Sequence, residues 1–178
     1  MLPSIFTSQV MAGVLLMFWL GACVVFDLRS RQVPAFLTLP PLFLAAIWRL
    51  SYGEWALVLL VAALVLISDL PWVRWRIPLA CLASVIALLA GGPSGLSYAV
   101  LVILAVWAMW ETGATGGADA KIIITLVLLF ADGMLFIPIV LIGGIQGLIG
   151  LMARQKTIPY TVSITLGTAA WLWLVVGR

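Results

Sequence analysis

Apolar runs, many of them near the length of a membrane helix, alternate along this chain with short polar connections. Ile5–Phe26 is the first run and is long enough to span a bilayer. It closes on Asp27-Leu28-Arg29-Ser30-Arg31-Gln32-Val33-Pro34, where Pro34 suits the first turn of a following helix. Ala35–Leu50 is a second run, with a kink expected at Pro40-Pro41. After the Ser51–Glu54 turn come Trp55–Leu70, the Pro71–Arg76 connection and a fourth run, Ile77–Ala90. A Gly91-Gly92-Pro93-Ser94-Gly95 turn leads to Leu96–Trp110. Then the pattern breaks: Glu111-Thr-Gly-Ala-Thr-Gly-Gly-Ala-Asp-Ala-Lys121 is a polar, glycine-dense island. Apolar character resumes over Ala120–Ala131, turns at Asp132-Gly133, and continues through Met134–Met152, where Gly143, Gly144, Gly147 and Gly150 are expected to let helices approach closely. Arg154–Thr157 links to the last run, Ile158–Val176. The pattern predicts an all-α, polytopic membrane helical bundle of about eight transmembrane helices, organised as one domain over residues 1–178. Several runs fall short of about 20 residues, so six spans plus re-entrant pieces is the other arrangement it allows.

Composition agrees with that pattern. The chain is 65% hydrophobic and 8% charged, more apolar surface than a soluble domain of 178 residues can hide. The net charge of +3 carries no nucleic-acid signal, because the basic residues are scattered between apolar runs. Their placement bears on topology instead. With eight spans, Arg29, Arg31, Arg74, Arg76, Lys121, Arg154 and Lys156 fall on one side, and Arg49 and Arg178 on the other. The first side is then cytoplasmic by the positive-inside rule, and Asp27 and Asp119 both lie on it. Leu20-Gly21-Ala22-Cys23 has the look of a lipoprotein cleavage box. No Lys or Arg precedes the first apolar run, however, so residues 5–26 are read as a true span.

The chemistry open to the chain is narrow. There is no histidine, which removes imidazole relays, Ser-His-Asp and Cys-His catalysis, and His-based zinc sites. Cys23 and Cys81 lie inside apolar runs without a Cys-x-x-Cys pairing, and read as small packing residues. No metal and no cofactor is expected. Of six acidic residues, Glu54, Asp69 and Asp132 sit at turns and breaks, as solvated or capping groups. Asp27 and Asp119 differ, because each stands where a long apolar span closes or opens. An ionisable group at a helix centre costs about 2.5–3.5 kcal/mol on insertion scales, and such groups are functional candidates by default. The alternative for Asp119 is a helix-capping carboxylate at the interface. Two carboxylates brought together share one proton, a state that suits peptide hydrolysis. The same pair can equally bind a cation or relay protons in a transporter. Gly116 and Gly117 would let an extended backbone pass close to Asp119. Glu111 has two readings: a group that meets a basic substrate segment at the cytoplasmic face, or a helix-end charge among lipid headgroups. Lys121 snorkels to the interface or tunes Asp119. The tryptophans fit interfacial belts and packing.

Three segments together resemble one family. Gly116-Gly117-Ala118-Asp119-Ala120-Lys121 looks like the Gly-x-Gly-Asp motif of type IV prepilin and preflagellin peptidases, with Ala118 where the motif has its second Gly. Asp27 through Pro34 resembles their other signature, an Asp at the end of a span followed by a basic turn and Ile/Val-Pro. Ile158-Pro159-Tyr160, with Gly167 beyond, is similar to the proline-containing start of their last helix. The resemblance implies a membrane aspartic endopeptidase with Asp27 and Asp119 as its catalytic pair, acting on pilin-like or archaellin-like precursors. Gly116, Gly117, Ala118, Lys121 and Pro159 would support the motifs. The cysteine-rich segment associated with N-methylation in the large bacterial enzymes is absent, so only peptidase activity is implied. The separation of Asp27 and Asp119 exceeds the family's usual one by about one helical hairpin, and Arg74–Ala90 falls in that excess. Presenilin-like intramembrane proteases pair their first Asp with a preceding Tyr and carry Pro-Ala-Leu. Here Phe26 precedes Asp27, and Tyr160 follows Pro159.

Overall fold

The computed structural model describes residues 2–91, 96–152 and 159–176. They form eight α-helices, α1 (Leu2–Ser30), α2 (Ala35–Ser51), α3 (Trp55–Ser68), α4 (Val73–Gly91), α5 (Leu96–Glu111), α6 (Gly117–Phe130), α7 (Phe136–Met152) and α8 (Tyr160–Val176), with a 3₁₀ turn at Gly133–Leu135. No strand occurs among the described residues. The Gly92–Gly95 part of the expected fourth turn, the Arg154–Thr157 link and Arg178 lie outside them.

Among the described residues three helical stretches are long and apolar enough to cross a membrane: Met11–Ser30, Val73–Gly91 and Gly133–Met152. Ala35–Ser51, Trp55–Ser68, Ser97–Glu111 and Tyr160–Val175 are shorter apolar helices. The core is apolar, with a few polar residues buried in it, and large apolar side chains also cover the outside. Phe18, Leu89 and Trp173 are each 80% exposed, while Thr38, Arg49, Ser84, Thr125, Thr161, Ser163 and Thr168 are buried. Large exposed apolar surface of this extent is consistent with a chain whose outer face meets lipid. Cys23 is buried, whereas Cys81 is exposed on α4 rather than packed.

The chain divides into two compact units, one made of Met1–Leu37 with Ile137–Arg178, the other of Thr38–Phe136. In the first, α1 packs on α8. Gly167 of α8 lies against the backbone of α7: a Cβ there would stand 2.6 Å from the Cα of Ile139. Of the α7 glycines, Gly143 faces the Tyr160 ring, but Gly144 and Gly147 face open space, so only part of that glycine run serves close packing. α2 is helical through Pro40 and Pro41. Pro41 has no N–H to offer the Leu37 carbonyl, and the Trp19 indole donates to that carbonyl instead, at 2.8 Å.

In the second unit α3, α4 and α5 pack on one another, and α5 on α6. α6 is buried at Ala120 and at every position from Ile122 to Leu128, so it is apolar all round rather than striped. Its last carbonyls, which a helix leaves without partners, are taken by a side chain. The Arg49 guanidinium donates to the Leu128 carbonyl, to that of Leu129 at 2.7 Å, and to the Glu54 carboxylate at 2.9 Å.

Several boundaries shift from those expected. α1 continues one turn past Phe26, so Asp27 lies within the helix. α4 starts at Val73 and takes Arg74 and Arg76 into its first turn. α6 starts at Gly117 rather than Ala120, because Gly116 is extended (φ −69°, ψ 146°) and Gly-Ala-Asp continues as helix. Backbone hydrogen bonding at a helix end is local and extends into polar residues that hydrophobicity alone assigns to a turn.

Candidate functional site

The polar island is a tight connection between two helices. α5 ends with the Ala114 amide on the Met109 carbonyl and the Gly113 amide on the Trp110 carbonyl. This is the Schellman arrangement, which needs a left-handed residue at its end. Gly113 supplies it, with φ +75°. α6 opens three residues later, with Gly116 as its N-cap.

Asp119 therefore falls in the first turn of α6 and is half-buried. The unsatisfied amides at that end favour a negative side chain. The carboxylate folds back over Gly116, and a Cβ at Gly116 would be 3.2 Å from Asp119 Oδ2. At Gly117 a Cβ would be 3.1 Å from the Trp110 indole nitrogen. Both motif glycines thus make room for a side chain of this chain. The same placement suits a capping carboxylate, the alternative that the sequence allows for Asp119. Ala118 follows in the first turn of α6, half-buried, and its Cβ is accommodated.

Lys121 borders a cavity of about 300 Å³ within this unit, walled by Leu39, Leu64, Trp107, Trp110 and Ile124 among others. Glu111, the last residue of α5, accepts a hydrogen bond from Arg76 Nη1, and both side chains are largely buried. Arg76 is further held by the Leu70 carbonyl, at 3.0 Å from Nε and 2.7 Å from Nη2. Glu111 is thus engaged within the unit, by an arginine that the sequence reading had assigned to a connection.

Asp27 belongs to the other unit. Its side chain is half-buried, in the last turn of α1. The Thr161 hydroxyl donates to Asp27 Oδ2 at 2.7 Å, from the first turn of α8. Pro159 stands just before that turn, and its carbonyl accepts from Gln146 Nε2 at 3.0 Å. Ser163 in turn donates to Gln146 Oε1. Asp27, which opens one segment singled out in the sequence, is therefore joined inside one unit to Thr161, the residue that follows Ile158-Pro159-Tyr160, of which Ile158 lies outside the described residues; hydrophobic pattern does not reveal this bond.

Thr115 is the other residue it missed. Its Oγ1 is buried without a partner among the described residues, immediately before Gly116. An orphaned buried hydroxyl is rare enough to mark a position of interest. The Asp132 carboxylate, by contrast, accepts from the Met134 amide at 2.8 Å and caps the 3₁₀ turn, as its place in the sequence suggests. Among the described residues no three His, Cys, Asp or Glu side chains form a group able to hold a metal ion. No family model, no curated protein and no solved structure matches this chain.

Proposed function

We propose that this chain is a membrane aspartic endopeptidase of the prepilin-peptidase type. It removes a short basic leader from a pilin-like or archaellin-like precursor, and Asp27 and Asp119 are its catalytic pair. The observation that carries the reading is the Thr161–Asp27 hydrogen bond, because it ties the aspartate-bearing end of the first long helix to the proline-led start of the last. Asp119 in the first turn of a deeply buried helix, with its carboxylate folded over Gly116, supports the same assignment.

In the proposed reaction one carboxylate is ionised and the other protonated. The ionised group takes a proton from water, and the hydroxide equivalent attacks the scissile carbonyl carbon. The protonated group donates to the carbonyl oxygen, giving a neutral gem-diol. That intermediate collapses with cleavage of the C–N bond: one diol proton passes to the carboxylate that had protonated the carbonyl, and the other carboxyl gives the proton it took from water to the leaving nitrogen, which restores the singly protonated pair. No metal or cofactor takes part.

In the membrane we propose about eight spans, with the basic connections and both aspartates on the cytoplasmic side. A precursor helix with a Lys/Arg leader places its leader–helix junction on that side by the same rule. The junction is extended, since a helix hides the carbonyl in its hydrogen-bond ladder. The test is to incubate the purified protein in detergent with such a precursor, with and without a chelator, and map the new N-terminus by mass spectrometry. The expected result is a cut at the junction, unaffected by the chelator. A cut in the middle of the apolar helix would instead indicate intramembrane proteolysis of the presenilin kind. Activity lost on chelation and restored by zinc would overturn the aspartic mechanism.

A further inference from the structure

Six described helix hydroxyls in this chain bond backward to the carbonyl four residues earlier: Ser30 to Phe26, Ser68 to Leu64, Ser84 to Ala80, Thr125 to Lys121, Thr165 to Thr161 and Thr168 to Ile164. This is the usual way for a Ser or Thr in an apolar helix to satisfy itself. Thr161 departs from it. It is the second residue of α8, and the carbonyl four residues back lies before the helix begins. Its hydroxyl, on a residue only 2% exposed, therefore needs an outside acceptor. That acceptor is Asp27 Oδ2, at 2.7 Å.

The turn that carries Thr161 is itself held on α7. Gln146 donates to the Pro159 carbonyl and accepts from Ser163. Gly143 leaves space for the Tyr160 ring, where a Cβ would stand 2.6 Å from Cε2. Thr161 thus presents its hydroxyl from a turn fixed on both sides, and the residue itself carries a β-branched, rotationally stiff side chain. A hydrogen bond from such a donor restrains Oδ2 and with it the rotation of the carboxylate.

We infer that Thr161 is a positioning residue for Asp27: it holds Oδ2, and with it the orientation of the carboxylate, for proton transfer. The inference rests on the peptidase reading above. Its prediction is a loss in the chemical step, since misplacement of a catalytic group by about 1 Å costs on the order of 100-fold. Thr161→Val keeps shape and volume but removes the donor, and Thr161→Ser restores the donor without the methyl group.

Both variants, Asp27→Asn and the wild type are purified in detergent and assayed on one synthetic precursor, a basic leader followed by a glycine and an apolar segment of about 20 residues. Thermal unfolding is followed in parallel. The expected result is a kcat for Thr161→Val lowered on the order of 10–100-fold with KM unchanged, recovery of most of that loss in Thr161→Ser, and wild-type-like unfolding in both. Wild-type kcat in Thr161→Val, beside an inactive Asp27→Asn, overturns the inference and leaves the peptidase reading standing. So does a loss that appears in KM, or one that Thr161→Ser fails to recover. A wild type that does not process the precursor overturns the peptidase reading, and the inference falls with it.

Discussion

Asp27, Asp119 and Asp132 are the same residue type in three settings, and the differences set their expected roles. Asp132 caps a 3₁₀ turn through the Met134 amide. Asparagine caps as well as aspartate, so Asp132→Asn is expected to process a precursor at nearly the wild-type rate and to change stability by less than about 0.5 kcal/mol. Asp27 and Asp119 sit half-buried at the ends of two apolar helices, the last turn of α1 and the first turn of α6. Asp27→Asn and Asp119→Asn are expected to lower processing by at least about 100-fold, the low end for a group that transfers a proton in the transition state. Both should still insert, since each substitution removes a charge from an apolar setting. Immunoblots of precursor and product in membranes read both outcomes together, and wild-type processing in either variant sinks the assignment. Gly116 offers a finer probe. Its backbone is extended, so alanine causes no left-handed strain, and the added Cβ presses on Asp119 Oδ2 from 3.2 Å. Gly116→Ala is expected to slow turnover while leaving the protein folded, as judged by unchanged circular dichroism.

At the scale of the element, α6 is held at both ends by groups that hydrophobicity does not reveal. Its N-terminus has Gly116 and Asp119; its C-terminus has the Arg49 guanidinium on the Leu128 and Leu129 carbonyls. Arg49 is 8% exposed and paired with Glu54, which keeps part of its hydration. Breaking such a pair costs about 3–5 kcal/mol when both partners are buried. Glu54 is part-exposed, so Arg49→Met is expected to lose less than that, about 1.5–3 kcal/mol for hydrogen bonds to a charged group, measurable as an earlier unfolding midpoint in a denaturing-detergent titration. An unchanged midpoint would show that solvent or lipid satisfies α6 equally well. Gly167 makes the corresponding contact between α7 and α8. The neighbour of its missing Cβ is backbone, at 2.6 Å from Ile139 Cα, which cannot rotate away. Gly167→Ala should cost about 1–3 kcal/mol by overpacking, seen as a lowered melting temperature in detergent.

At the scale of the whole molecule, the path through the bilayer is set by which helices cross it. Among the described residues three helical stretches are long and apolar enough to cross by themselves, and four more are shorter apolar helices. The eight-span proposal places Ser30 on the basic, cytoplasmic side and Tyr52 on the opposite side. In a background lacking Cys23 and Cys81, Ser30→Cys is expected to react with a membrane-impermeant maleimide only in inverted vesicles, and Tyr52→Cys only in right-side-out ones. Labelling of both from the same side would remove the hairpin reading of α1 and α2, and with it the cytoplasmic assignment of Asp27.

Much of this architecture is legible in the order of residues alone. Long apolar runs fold as helices because a chain so poor in polar side chains satisfies its backbone within each segment. Glycine and proline then mark where segments end, as at Gly113 and Pro159. Asp27 and Asp119 stand out for the same reason, as carboxylates bordering apolar runs. Helix ends are less legible, because hydrogen bonding continues into polar residues: α6 begins early enough to take in Asp119, and α4 early enough to take in Arg74 and Arg76. Polar pairing is not legible at all. Arg76 meets Glu111, Arg49 meets the end of α6, and Thr161 meets Asp27. Each links residues 35 or more positions apart, and a hydrogen bond reaches only about 3 Å. Which donor meets which acceptor is therefore decided by how the helices of each unit pack, and only the tertiary structure contains that information.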